Sequence, residues 1–197
     1  MKVAAFNVKQ LGINRINDEK VLNTLIEIVS RYSVMVLLEV LDSSGKAMDR
    51  FLTKLNQHRQ NRRNPFTMES SIPLGRSNYK EKFVFFYRFE DVDLVDTFQY
   101  KERRDVLARE PFVVKFRCLN TGVTQTSGLT VTPVDAALEL DALANVVEAV
   151  RGKWRSNVSW IEIFCRTVEE IKRSLHNDYT YDRYIYIMFP EDTRAVN

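Results

Sequence analysis

The chain alternates between two hydrophobic rhythms. Residues 2–8 are short and rich in β-favouring side chains, which predicts a first strand ending at Asn7. Val21, Leu22, Leu25, Ile26, Ile28 and Val29 recur at helical spacing. They predict a helix over 19–31, with Asp18 as its cap. Residues 33–38 form a continuous apolar run, the pattern of a strand buried on both faces. That run stops at Glu39, and a carboxylate just after a buried strand sits where active sites often form. Asp42-Ser43-Ser44-Gly45 is a turn whose serines can cap a second helix over 46–55. Residues 57–64 are polar and basic without interleaved aromatics, so a solvated loop is favoured there over a nucleic-acid patch.

The stretch from Ile72 to Arg88 organises the chain around it. Pro73 presets φ and Gly75 permits a positive one, so it opens as a turn. It then becomes an aromatic strand over 83–87. Arg76, Tyr79, Lys80 and Glu81 stand at the strand entrance. Two cations, a phenol and a carboxylate suit a phosphate site with a metal or acid nearby. A solvated loop feeding a core strand is the plainer alternative. Further strands are predicted over 93–100, 112–116, 129–132 (ending before Pro133), 158–164 and 184–189. Helices are predicted over 136–154, capped by Asp135, and over 169–175. Strand–helix alternation gives way to consecutive strands, so the class is mixed α and β. No repeat or linker interrupts the chain, and a single domain over 1–197 is expected.

Composition narrows little. The 197 residues are 45% hydrophobic and 28% charged, with formal net charge +3, too mild to argue for a polyanionic partner. Two cysteines, Cys118 and Cys165, make no disulfide framework. No apolar run has the length of a membrane span, so no membrane partner is expected. Met1-Lys2 leads directly into Val3-Ala4-Ala5-Phe6 without a signal-peptide pattern, which leaves the compartment open.

Six pieces in order carry a resemblance. They are Phe6-Asn7; Leu38-Glu39-Val40 with Asp42-Ser43; Leu74-Gly75-Arg76 with Tyr79-Lys80-Glu81; Arg109-Glu110-Pro111-Phe112-Val113-Val114; Leu140-Asp141-Ala142-Leu143 with Trp154; and Tyr181-Asp182-Arg183. Together they resemble the deoxyribonuclease I family of the endonuclease/exonuclease/phosphatase superfamily, and lean towards its deoxyribonuclease I-like paralogues. The resemblance implies an α+β fold, a two-sheet β-sandwich flanked by helices. It also implies Mg²⁺ and Ca²⁺ as cofactors and hydrolysis of DNA phosphodiesters by an activated water. Carried over by position, Glu39 would bind metal and take part in catalysis, with Asn7 its neighbour in the metal cluster. Arg76 and Arg109 would grip backbone phosphates, with Tyr79 in the minor groove. Glu81 would orient a catalytic histidine. Tyr181 and Asp182 would flank the scissile phosphate. Actin, the family's best-known protein partner, would dock near Ser44-Gly45 and Met68-Glu69-Ser70. No apolar signature stands there, so actin is not an expected partner.

The departures fall on the chemistry. The family's Leu-His-Thr-x-Pro pattern is Leu129-Thr130-Val131-Thr132-Pro133 here, so Thr130 replaces a catalytic histidine. The Gly-Asp-Phe-Asn motif is Glu162-Ile163-Phe164-Cys165, so Ile163 replaces an aspartate and Cys165 an asparagine. Leu41 stands where a groove-reading arginine would be, and the match ends without a Ser-Asp-His-x-Pro motif, which implies a C-terminally truncated version of the fold. His58 and His176 occupy no catalytic position, and a surface place is expected for both. Each lost acid–base group typically costs ~10² to 10⁴-fold. Two readings therefore stand: a weak or inactive nuclease, or a DNA- or protein-binding module on the same scaffold.

Overall fold

The computed structural model describes residues 1–75, 78–101, 107, 109–119, 126–134, 137–154 and 159–166; side chains are described within these except at 126–144, 147 and 159–166. Two four-stranded sheets carry the fold. The first holds β1 (Val3–Leu11), β2 (Val34–Val40), β4 (Lys82–Arg88) and β3 (Phe66–Ser70), in that order. The second holds β5 (Val92–Gln99), β6 (Phe112–Cys118), β7 (Thr126–Val134) and β8 (Ser159–Arg166). β1 and β2 are parallel, as are β7 and β8.

The period-two pattern of the strands sorts side chains into two layers. Val3, Ala5, Val34, Val36, Leu38, Phe83, Phe85 and Tyr87 pack against Phe112, Val114 and Phe116 of the other sheet. Ala4, Phe6, Met35, Leu37 and Phe86 point the other way. There they meet Leu22, Leu25, Ile26 and Val29 of α2 (Glu19–Val29) and Met48, Phe51 and Leu55 of α3 (Lys46–Gln57). A short α1 (Ile13–Ile16) buries Ile16 in the same layer. On the far face of the second sheet, Val113 packs on Val146 and Val150 of α4 (Ala137–Trp154). A helix–sheet–sheet–helix sandwich results, the α+β arrangement expected from the resemblance.

Several boundaries differ from those expected. β1 does not stop at Asn7: its register to β2 shifts between Asn7 and Leu11, and the strand resumes beyond the bulge. α3 runs to Gln57, and its first turn is capped chiefly by buried Asp42, whose Oδ2 accepts from Met48 N at 2.8 Å. Ser44 Oγ accepts from Lys46 N at 3.3 Å, while Gly45 supplies the left-handed bend at φ 79. Residues 57–64 are no plain solvated loop. They hold a 3-10 turn, Arg59–Asn61, whose Asn61 is fully buried. His58 is half-buried rather than on the surface, 3.3 Å from Glu27. β3 had no strong pattern of its own; Asn56 holds it by pairing both its side-chain groups with Phe66, at 2.7 and 2.8 Å. β7 continues through Pro133 because pairing with β6 ends at Val131, so the prolyl nitrogen meets one ladder only. The elements expected over 169–175 and 184–189 lie outside the described residues.

Candidate active site

Both parallel strands of the first sheet lose their register at the same end. β1 shifts after Asn7 and β2 after Leu37, and non-glycine residues take left-handed backbone at Lys9 (φ 47), Gln10 (φ 62) and Glu39 (φ 59). Such conformations cost ~1–3 kcal/mol each and gather where the surroundings impose them for a reason. Here they turn Glu39 out of the strand alternation. Asn7 Nδ2 donates to Glu39 Oε1 at 2.7 Å, and Asn7 Oδ1 accepts from Lys9 N at 2.8 Å. The asparagine therefore fixes both the carboxylate and the bulge.

The turn before β4 completes the group. Leu74 and Glu81 pair across it, with N···O distances of 2.7 and 2.9 Å. Gly75 sits between them at φ +130, where an added Cβ would come within 2.8 Å of Tyr79 O and 3.3 Å of Arg109 Cζ. Only glycine lets the turn close over the guanidinium. Arg109 Nε donates to Glu81 Oε2 at 3.1 Å, with both side chains largely buried. Lys80 Nζ donates to Gly75 O, so this cation braces the turn.

Tyr79 links the two carboxylates. Desolvation first, then a hydrogen bond to Glu81 and the charges of Glu81 and Glu39, push its phenol up to about 12, while a hydrogen bond from Gln10 acts in the opposite sense. The hydroxyl is thus a proton donor at every physiological pH. Because the folded value exceeds the unfolded one, this contribution to stability is present below pH 10 and fades as pH rises towards 12. Glu81→Gln is expected to lower the Tyr79 value towards 10, read by ultraviolet tyrosinate titration against a Tyr79→Phe blank. An unchanged midpoint would place the phenol's donor bond elsewhere.

The structure therefore brings Asn7, Glu39, Tyr79, Glu81 and Arg109 to one end of the sandwich. Arg76, Tyr181 and Asp182 lie outside the described residues. Gln10 joins the group without any sequence signal, since only the bulge of β1 aims it at Tyr79. In the second sheet, Thr130 and Val131 pair with Val113 and Phe112, and Val131 pairs with Ile163. Positions 130 and 163 thus lie in adjacent rows beside the start of β6, the end of the sheet that Arg109 enters.

A divalent cation is testable against this donor set. Among the described residues no three acidic, histidine or cysteine side chains stand together. Asn7 Oδ1 already accepts from Lys9, which leaves the carboxylate of Glu39 as the principal anionic donor. A Mg²⁺ held by one carboxylate and several waters fits that set, whereas Ca²⁺, which takes roughly six to eight oxygens, does not.

No family model matches the chain. Among curated proteins it is similar to human deoxyribonuclease-1-like 1, with 38% identity over 158 residues, covering 79% of this chain and 51% of that protein. It is also similar to horse (Equus caballus) deoxyribonuclease-1, with 34% identity over 161 residues, covering 78% of this chain and 56% of that protein. The chain spans about half the length of the curated relatives it matches. Solved structures of similar fold include the human Nocturnin catalytic domain with bound sulfate anion, at TM-score 0.56 and 14% identity, covering 83% of this chain and 63% of that one. An endonuclease/exonuclease/phosphatase family protein from Bacteroides thetaiotaomicron has TM-score 0.52 and 15% identity, covering 83% and 62%.

Proposed function

The chain belongs to the deoxyribonuclease I family of the endonuclease/exonuclease/phosphatase superfamily, and from that membership we propose that it is a single domain, over 1–197, that grips DNA through backbone phosphates and hydrolyses it weakly or not at all. The observation that carries this reading is how Glu81 is engaged. In the resemblance its counterpart orients a histidine; here its carboxylate takes Tyr79 and Arg109 instead. Among the described residues at this end no histidine stands beside Glu81, which fits an anion-facing frame without the family's proton relay.

Each residue then has a defined part. Arg76 and Arg109 neutralise phosphate oxygens, Arg109 while also holding Glu81. Tyr79 donates its hydroxyl to Glu81 and would pack in the minor groove. Glu39 would hold Mg²⁺ through a single carboxylate, too weakly to add much affinity, and the ion would supply charge neutralisation at a phosphate oxygen. Asn7 keeps the Glu39 carboxylate oriented, and Asp182 with Tyr181 would face the same phosphate. Without acid–base groups in place of Thr130 and Ile163, water attack and departure of the leaving oxygen go without a proton relay. Leu41 removes a cation from the groove, so sequence preference is slight.

Fluorescence anisotropy with a labelled duplex tests the phosphate-gripping half of this reading. Arg76→Ala plus Arg109→Ala is expected to weaken binding by about 10-fold or more at low salt, as two charge-assisted contacts are lost. Adding Mg²⁺ should change wild-type affinity little. Equal affinity of wild type and double variant would sink the surface. A purely non-catalytic binding module is the second reading, favoured by the same Glu81–Arg109 pair.

A further inference from the structure

The pole opposite this site is also cationic, and several hydrogen bonds tie it together. β2 runs towards the site and β4 runs away from it, ending at Arg88. Arg88 Nη2 donates to Ser30 O at 3.0 Å and to Asn61 Oδ1 at 2.8 Å, so the end of α2 and the 3-10 turn meet at this pole. Asn61 Nδ2 in turn donates to Ser30 Oγ and Leu55 O, both at 2.8 Å. The inward side chain of the turn is thereby pinned. Residues three apart in a 3-10 turn share a face, and Arg62 continues the helical backbone with φ -61 and ψ -33. Arg59 and Arg62 thus emerge on one side, with Arg63 beside them, and all three are exposed. Exposed Arg31 follows Ser30 directly.

Three acids lie at this end against the four arginines: Glu27, Asp91 and exposed Glu90. Glu27 faces His58, and Asp91 Oδ1 accepts from Asn64 Nδ2 at 3.1 Å. Among the described residues no ion pair engages Arg31, Arg59, Arg62 or Arg63. Phe89, which follows Arg88, is 49% exposed at this pole, but no aromatic stands between the arginines themselves, so the chemistry matched is that of backbone phosphates.

We propose that Arg31, Arg59, Arg62 and Arg63 form a second contact surface for the phosphate backbone of a nucleic acid duplex, at the opposite pole from the candidate active site. The two surfaces stand about 20 Å apart along the seven-residue β2 and β4, from the rise per residue of a strand. They face away from each other, so one straight duplex does not lie on both. The protein therefore holds two duplexes at once.

The test uses the full chain with two short DNA duplexes, one carrying a donor dye and the other an acceptor. Wild type should bring them together, giving energy transfer that rises and then falls with protein concentration. Arg59→Ser, Arg62→Ser and Arg63→Ser combined should abolish the transfer and reduce the slope of log affinity against log salt by roughly 2–3. The matching triple lysine variant should retain both, since phosphate contacts accept either cation. Circular dichroism checks that these surface variants fold. Transfer that persists in the triple serine variant, or single-duplex capture by Arg76→Ala plus Arg109→Ala that the triple serine change leaves unaltered, would overturn the proposal. So would loss of heparin binding on triple substitution with duplex binding unchanged, which assigns the pole to an acidic polysaccharide. Arg76→Ala plus Arg109→Ala separates this outcome from failure of the functional reading: that variant weakens the other surface and leaves single-duplex capture at this pole intact.

Discussion

Replacing Arg88 by leucine is expected to lower the unfolding free energy by about 3–5 kcal/mol, the range for breaking a buried polar network. Arg88 is 9% exposed, and its guanidinium serves four acceptors. These are Tyr32 O at 3.3 Å, Ser30 O at 3.0 Å, Asn61 Oδ1 at 2.8 Å and Asn64 O. It also lies 4.0 Å from the centre of the Phe66 ring. Leucine fills part of the volume and removes a desolvated cation, which offsets some of the loss. It leaves several acceptors without donors, each costing ~1–3 kcal/mol where water cannot reach. Lysine keeps the charge but not the planar fork, so Arg88→Lys should recover less than half. Chemical denaturation monitored by tryptophan fluorescence reads the difference. A loss below about 1 kcal/mol for leucine would show that water replaces the guanidinium freely.

The largest expected gain comes from Thr130→His combined with Ile163→Asp. The ladder pairs Thr130 with Glu162 and Val131 with Ile163, which leaves the two positions on adjacent, alternating rows, so the expected gain rests on the resemblance. The resemblance assigns a histidine to the first and an aspartate to the second. A histidine there would supply the missing proton exchange near neutral pH, and a restored acid–base group is worth ~10² to 10⁴-fold. The lower part of that range is expected, because the new imidazole competes with Arg109 and Tyr79 for Glu81. The aspartate would add a second carboxylate for Mg²⁺. Plasmid nicking by the double variant should therefore rise about 100-fold over wild type and require Mg²⁺. A correctly folded double variant no faster than wild type would mean that these positions do not face the scissile phosphate.

The elements were legible where a single periodicity governed them. The apolar run ending at Glu39 became a central strand buried on both faces because one sheet and one helical layer cover it. Helical spacing from Val21 to Val29 and the cap at Asp18 were equally plain, with Asp18 Oδ1 accepting from Lys20 N at 2.9 Å. The geometry of the site was less so. Glu39 was evident as a carboxylate at a strand end, but its left-handed backbone was not, because tertiary pairing imposes it against local preference. Gln10 carries no signal at all. Arg88 read as the tail of a strand, since its partners lie 24 to 58 residues away. β3 was obscured by its short, half-polar pattern and by the basic residues before it. Asn61 was hidden for the same reason, one inward residue in a segment otherwise turned to water.

Plasmid nicking by wild type and Glu39→Ala, with Mg²⁺ and Ca²⁺ present, tests most directly the proposal that a phosphate-gripping frame persists here without the family's hydrolytic chemistry. Near-background nicking by wild type is expected, with Glu39→Ala indistinguishable from it. Robust Mg²⁺-dependent nicking by wild type, abolished by Glu39→Ala, would contradict the claim.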